Sequence, residues 1–457
     1  MQVDAIVIGA GQAGIPLATR LAASGRKVVL VERSRVGGTC VNYGCTPTKT
    51  LVASARAAHV ARSAGRLGVH AEAVRVDFPA IIARKDAIVG QWRAGLDRKL
   101  KSTGDALRVV PGHARFVADR EIQVAGDRYQ ADLVVINVGV RPLPPRVEGI
   151  DSIPWLDNRR IMELSSLPAH LIVLGGGYIG CEFAQMFRRF GSDVTVVQRG
   201  PHLLDREDPE VSAALEGAFR AEGIELLLGT GVARAFTRGG AEVGVALADG
   251  RQISGSHLLA AVGRRPNTDD LGCEAGGVRL DGRGFVTVDD QYRTSAPGVY
   301  AVGDVTGGPQ FTHTSWDDHR ILLDRLEGRS SRGRSGRVIP HVVFTDPQVS
   351  GVGLNEREAR EQGIRYEVAR MPFGYVARAI ETDETAGVLK VLVDPDSERI
   401  LGASLVGAEA GELIHVFAAL MQAGATARAI VDAEFAHPTF AEGLQSAVMT
   451  LPRYTLR

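Results

Sequence analysis

Long apolar runs are missing from this sequence. The N-terminal Met-Gln-Val-Asp leads into an apolar stretch of only about six residues before glycines intervene, too short for a signal segment or a membrane span. No later stretch approaches membrane length, so a cytoplasmic protein without a membrane partner is expected. A charge excess is missing too: 53 lysines plus arginines face 53 aspartates plus glutamates. A nucleic-acid-binding surface usually needs a basic surplus, so no nucleic-acid partner is expected. Cysteine is scarce. Four in 457 residues cannot build a disulfide scaffold. Cys181 and Cys273 stand alone among apolar or small residues and read as inert packing. Cys40 and Cys45 lie close together in a glycine-rich stretch, and in a reducing compartment such a pair is catalytic or metal-binding rather than structural.

Glycine, by contrast, is abundant, and it marks a repeated unit. An apolar strand from Asp4 to Ile8 meets Gly9-Ala10-Gly11-Gln12-Ala13-Gly14. A helical pattern follows to Ser24, with Gly25 as its stop, then a strand from Lys27 to Val31 ending at Glu32. The second copy runs from Leu171 to Leu174 into Gly175-Gly176-Gly177-Tyr178-Ile179-Gly180. Its helix reaches Phe190, stops at Gly191 and feeds a strand from Asp193 to Val197. In both copies 23 residues separate the first glycine from the place where an acid would bind a ribose, Glu32 and Gln198. Between strand and helix the first glycine makes a tight turn, the second lets backbone approach a pyrophosphate, and the third lets the helix pack closely. The helix N-terminus adds unpaired N–H groups and partial positive charge. Two such units imply two dinucleotides.

The remainder alternates in the same style. Leu51 to Lys101 has helical spacing, and alternating strands then lead to Val134–Val138. Leu258–Gly263 and Gly298–Asp304 read as buried strands ending in glycine, and Arg329–Arg337 as a solvated linker. The last stretch mixes strands (His341–Phe344, Val388–Val393, Leu401–Val406) with helices and has no phosphate loop. The expected class is α/β, with two Rossmann-like dinucleotide-binding domains plus a C-terminal α+β dimerisation domain. Its expected boundaries are 1–150 and 269–335 for one nucleotide domain, 151–268 for the other, and 336–457 for the last.

The segment Cys40-Val41-Asn42-Tyr43-Gly44-Cys45 follows Gly37-Gly38-Thr39 and precedes Thr46-Pro47-Thr48-Lys49. Four residues between cysteines do not match common zinc pairings, and no second pair completes a tetrahedron, so no metal site is expected. The pair starts eight residues beyond Glu32, close to the first nucleotide in sequence. A helix start there would lower a cysteine pKa and favour a thiolate. A cysteine pair beside a dinucleotide points to electron transfer.

At these residues the chain resembles the flavoprotein disulfide reductases, the family of lipoamide dehydrogenase, glutathione reductase and mercuric reductase. The resemblance extends to Ala261-Val262-Gly263-Arg264-Arg265-Pro266-Asn267, to Tyr300-Ala301-Val302-Gly303-Asp304, and to His437-Pro438-Thr439-Phe440-Ala441-Glu442. It implies FAD and a nicotinamide coenzyme. Gly9, Gly11 and Gly14 would hold the FAD pyrophosphate, Glu32 the adenosine ribose, Asp304 the ribityl chain, and Ala114 would sit at the adenine. Thr39, Gly139, Gly263 and Thr312 complete the implied cofactor set. Gly175, Gly177 and Gly180 would serve the coenzyme, with Tyr178 as an aromatic lid that swings aside for nicotinamide. Lys49 would lie by the flavin, paired with Glu182. Cys45 would be the thiol near the flavin and Cys40 the one that attacks substrate. His437, held by Glu442, would be the acid–base for the cysteines of the other subunit, which implies a homodimer.

Some features depart from the family. The cysteine pair that mercuric reductases carry at the C-terminus is absent from Leu451–Arg457, as is an N-terminal C-x-x-C extension. Tyr43 and Thr46 replace the commoner aliphatic residues beside the cysteines. The stretch Gln310–Asp318 is similar to a mercuric-reductase-like subgroup, some members of which reduce reactive chlorine or thiocyanate oxidants. The expected substrate is therefore a small disulfide or another thiol-reactive electrophile. A lipoamide dehydrogenase working towards NAD, or a reductase of Hg(II), Cu(II) or hypothiocyanite, is the alternative. At the second ribose position Gln198 replaces an acid, and Arg199 follows, so NADPH is expected over NADH. His202 and Arg206 would add positive charge there, and Asp205 would oppose it.

Overall fold

The computed structural model describes residues 1–239, 242–329 and 332–455. Ser330 and Ser331 of the expected linker, and Leu456 and Arg457 of the C-terminal stretch, lie outside the described residues. The chain forms two compact units: Met1–Thr50, Ile82–Leu143 and Gly263–Arg337 make the first, and Leu51–Ile81, Pro144–Val262 and Val338–Arg457 the second.

The first unit is built on a seven-stranded sheet. Its strand order is Leu107–Pro111, Val28–Glu32, Gln2–Ile8, Asp127–Ile136, Glu121–Val124, Ala114–Ala118, with Val299–Ala301 also pairing Asp127–Ile136. The strand Gln2–Ile8 is parallel to both neighbours, Ala5 facing Val28 on one side and Leu133 on the other. A parallel strand covered on both faces must be apolar at every position, and Ala5–Ile8 is. Side chains alternate across the pleat: Ala5 and Val7 join one buried cluster with Leu17 and Leu21, Ile6 and Ile8 another with Phe116 and Tyr129. The helix Gly14–Ala23 contributes Leu17, Ala18 and Leu21 to the first cluster at three-to-four spacing. Gly25, at φ 87°, ends it.

One expected strand is shorter than its apolar run. Only Val299–Ala301 joins the sheet, and Gly303–Thr306 forms a 3₁₀ turn. Gly303 sits at φ 76° and donates its N–H to the buried Asp318 carboxylate at 2.8 Å, which takes it off the ladder. The strand His257–Ala260 likewise stops before Gly263, at φ 126°.

The second unit holds a parallel five-stranded sheet ordered Glu225–Leu228, Asp193–Gln198, His170–Leu174, His257–Ala260, Trp155–Leu156. The helix Tyr178–Phe190 follows its glycine loop and ends at Gly191, φ 120°. An antiparallel five-stranded sheet (His341–Val343, Gln348–Gly353, Ile400–Gly407, Val388–Val393, Glu367–Pro372) packs its apolar residues with the helix Ala410–Gln422. Lys390 on this sheet is fully buried, with Nζ 2.6 Å from Asp208 and Glu210 and 2.5 Å from Glu356. No helix among the described residues is long and apolar enough to cross a membrane.

Candidate active site

In the first unit, the glycine loop sits where the chain turns from strand Gln2–Ile8 into helix Gly14–Ala23. Gly9 has φ 105°, which disfavours any residue with a Cβ, and a Cβ on Gly14 would strike the Gly9 carbonyl. The Asn137 side-chain amide donates to that carbonyl at 3.1 Å and fixes the turn. No side chain caps the helix N-terminus, so its N–H groups remain for a phosphate. Glu32, at the end of the neighbouring strand, accepts the N–H of Ala10 at 2.9 Å and of Ser34 at 2.8 Å, which holds its carboxylate beside the loop. Ala114 is buried at the start of its strand, and Gly139 lies just past the strand Asp127–Ile136 at φ 63°. Burial raises the Asp304 pKa against the opposing field of Arg264, 3.4 Å away. Ser315 also donates to it at 3.3 Å. Thr314 Oγ1 is buried without a partner among the described residues. An uncapped helix end, a carboxylate fixed beside the loop and an unsatisfied buried hydroxyl fit FAD.

The second loop repeats the first down to its hydrogen bonds. Gly175 has φ 103°, and a Cβ on Gly180 would strike the Gly175 carbonyl. Gln198 Oε1 accepts the N–H of Gly176 at 3.0 Å, the bond that Glu32 makes to Ala10 in the first copy. A Cβ on Gly177 would meet nothing within 4 Å, so the loop faces open space. Arg199 is exposed, its stem against Gly231, and no carboxylate pairs with it among the described residues. His202 instead bonds Glu216 at 3.2 Å, and Asp205 lies 3.4 Å from the Gln198 amide. The His202 ring is therefore engaged locally by Glu216.

Cys40 lies within the short helix Gly38–Tyr43, alongside Thr39, and Cys45 opens the helix Cys45–Ser63 that carries Lys49. Asn42 ties the short helix down, donating to the carbonyls of Val36 and Gly38 at 2.9 Å each. Cys45 Sγ lies 3.2 Å from Thr312 Oγ1. Contrary to the expected lowering by a helix start, the Cys40 thiol pKa is raised well above the ordinary range. The neighbouring Cys45 is the main cause and burial the next; Thr312 and then the Lys49 charge oppose them without prevailing. Glu182, buried on the helix Tyr178–Phe190, accepts the N–H of Phe344 at 3.0 Å. Lys49 belongs to the first unit and Glu182 to the second. In the second unit His437 is exposed, and its Nδ1 bonds Glu442 at 2.8 Å. Glu442 is held in turn by Thr439, whose hydroxyl accepts the Glu442 N–H at 3.2 Å. Cys181 and Cys273 are buried, as inert packing requires.

Compared with known proteins, residues 3–318 match the pyridine nucleotide-disulphide oxidoreductase family, and residues 339–448 match its dimerisation domain. The chain belongs to that family. It is 36% identical over 457 residues to the dihydrolipoyl dehydrogenase of Thermus scotoductus, covering 99% of this chain and 98% of that protein. It is 37% identical over 456 residues to the mercuric reductase of Streptomyces lividans, covering 98% and 96%. Among solved structures, the Cu(II) complex of the HOCl-induced flavoprotein disulfide reductase RclA from Escherichia coli superposes with a TM-score of 0.90 at 35% identity, covering 98% of this chain and 99% of that one. This pyridine nucleotide-disulphide oxidoreductase is accordingly an enzyme that uses FAD and a nicotinamide coenzyme, and it carries the dimerisation domain of its family.

Sequence reasoning missed several groups at this oxidoreductase's loops. Arg264 and Ser315 at Asp304 are separated from it by 40 and 11 residues. Thr230 Oγ1 is buried without a partner among the described residues, next to the Gln198 carbonyl that accepts its N–H. Tyr178 donates to Glu207 at 3.1 Å, and His341 reaches the same carboxylate from 134 residues away. Arg264 and Ser315 had a sequence signal, because each stands inside a stretch that carries the family resemblance.

Proposed function

We propose that this enzyme oxidises NADPH and reduces a small thiol-reactive electrophile through a redox-active Cys40–Cys45 pair. The observation that carries this is the pair itself: Cys40 in the short helix Gly38–Tyr43 and Cys45 opening the next helix with its Sγ 3.2 Å from Thr312 Oγ1, in the unit that holds the first glycine loop. For a disulfide substrate the balance is NADPH plus one proton plus RSSR, giving NADP⁺ and two RSH. FAD, when bound by Gly9, Gly11, Gly14, Glu32 and Asp304, supplies the two-electron exchange between nicotinamide and cysteines.

The chain's own residues do the rest. Cys40, as thiolate, attacks a substrate sulfur, and Cys45 then displaces it to close the Cys40–Cys45 disulfide. Because the Cys40 thiol holds its proton tightly, a base is required. His437 of the partner subunit takes that role and passes the proton to the leaving thiolate. Glu442 occupies Nδ1, which leaves the exchange to Nε2. The active unit is thus a homodimer, and the dimerisation domain supports that reading. Lys49, in the unit of the first glycine loop, serves the flavin side, and Tyr178, after the second loop, covers the nicotinamide position.

The neutral Gln198 and the unpaired Arg199 favour the 2′-phosphate of NADPH. That preference speaks against a lipoamide dehydrogenase working towards NAD. The similarity to a mercuric reductase and to a reductase solved as its Cu(II) complex widens the substrate class to thiol-reactive metal ions. A steady-state screen of NADPH oxidation over small disulfides, quinones, Hg(II), Cu(II) and hypothiocyanite tests the proposal. Turnover with one of these that is lost in Cys40→Ser supports it. NADPH oxidation that needs neither cysteine refutes it.

A further inference from the structure

We propose that Glu207 and His341 latch Tyr178 in its resting position and thereby set how easily the nicotinamide of the coenzyme enters. The inference rests on the reading of Tyr178 as the lid. Tyr178 opens the helix that follows the second glycine loop, and its hydroxyl donates to Glu207 Oε1 at 3.1 Å. His341 Nε2 lies 3.0 Å from the same oxygen. The imidazole also stacks on the tyrosine ring, with centroids 5.8 Å apart and planes 21° from parallel.

The Glu207 side chain is almost wholly buried, at 4% exposure, so its charge needs hydrogen-bond donors. With two donors on one oxygen, the tyrosine can leave without stranding the charge, because His341 stays. His341 is itself placed by a built seat. It pairs with Gly351 across two antiparallel strands, and a Cβ on Gly351 would fall 2.9 Å from Nε2 and closer still to the ring carbon. Only glycine leaves the imidazole where it can reach both Glu207 and Tyr178. Arg206, Arg357 and Glu358 supply the surrounding charge.

A coenzyme that binds only when the lid is open has its apparent affinity reduced by the open fraction. Weakening the latch therefore tightens coenzyme binding while leaving the later chemistry alone. Glu207 and His341 are positioning residues, acting through Tyr178. In the FAD-loaded dimer, Tyr178→Phe, which removes the bond, should lower KM for NADPH, and Kd for NADP⁺ by calorimetry, by about tenfold, and Glu207→Gln, which leaves only a neutral acceptor, should lower both by less while changing kcat less than about twofold. The double variant should equal Tyr178→Phe alone, since glutamine can weaken only a bond that the phenylalanine has already removed. Gly351→Ala should act in the same direction by displacing His341.

Unchanged coenzyme binding in Tyr178→Phe and Glu207→Gln, or additive effects in the double variant, overturns the latch. Tyr178→Ala separates the two readings. If it moves coenzyme KM while the milder variants do not, the lid stands and the latch falls. If Tyr178→Ala leaves KM and Kd unchanged, the lid reading falls and the latch with it.

Discussion

Cys40 is the residue where chemistry and structure pull in opposite directions. Attack on a substrate needs a thiolate, yet the neighbouring Cys45 thiol and burial hold the Cys40 proton on. In Cys45→Ser the largest cause of that raised pKa changes, so iodoacetamide should alkylate Cys40 faster at pH 8 than in the reduced wild type. In the reduced wild type the rate should climb with pH through the range above the ordinary thiol value of 9.0, because the raised pKa leaves little thiolate below it. A flat rate across that range would contradict the assignment. His437→Ala should cost about 10²–10⁴-fold in turnover, as loss of a general base does. At the coenzyme, Arg199→Ala should raise KM for NADPH about tenfold and barely move that for NADH, a loss of about 1.4 kcal/mol. Equal losses with both coenzymes would show that the guanidinium does not read the 2′-phosphate. The glycine turns, the side chains of Glu32 and Gln198 that reach back to them, and the closeness of the cysteine pair were legible in the sequence because backbone sterics and fixed spacing demand them. The Cys40 proton was not, since a helix start and a neighbouring thiol act with opposite sign and only distances decide between them.

Among the elements, the antiparallel strand Val388–Val393 carries the least legible feature. Its pattern reads as uniform apolar burial, with Lys390 the exception. The lysine is tolerated because Asp208, Glu210 and Glu356 converge on it, from positions remote in sequence. Removing the cation while leaving the acids, as in Lys390→Met, should destabilise the protein by about 3–5 kcal/mol in urea unfolding, the usual cost of a broken buried pair. A loss near zero would mean that the cluster is neutral to stability. Burial works against the Glu356 charge, but Lys390, Tyr366 and Arg370 outweigh it and pull its pKa from 4.5 to about 2. The folded-state value is depressed, so the stabilisation is complete above pH 4.5 and is lost as pH falls towards 2. The melting-temperature deficit of Glu356→Gln should therefore be largest at neutral pH and shrink on acidification through that window. A deficit that grows with acid would reverse the sign. The repeated strand–loop–helix units were legible for the opposite reason: their apolar periods and stop glycines are local. The end of the strand Val299–Ala301 was not, because it depends on Asp318, whose partners come from tertiary packing.

At the scale of the whole molecule, the proposed reaction needs His437 and the cysteines it serves on different subunits of a homodimer. Heterodimers of a Cys40→Ser chain and a His437→Ala chain should recover about half of the wild-type activity per dimer, since one of two sites keeps every group. Verified heterodimers without activity would rule out a shared site. The α/β class and the order of the family's motifs were legible along the chain. The gathering of three separate sequence segments into each compact unit was not, because it depends on long-range sheet pairing. The central claim, that electrons from NADPH arrive at Cys40 and Cys45, has a direct measurement. The air-oxidised, FAD-loaded enzyme is treated anaerobically with NADPH, alkylated, and mapped by peptide mass spectrometry. The account predicts that NADPH exposes two new alkylated thiols, at Cys40 and Cys45, while Cys181 and Cys273 stay unchanged. No NADPH-dependent labelling at that pair would contradict it.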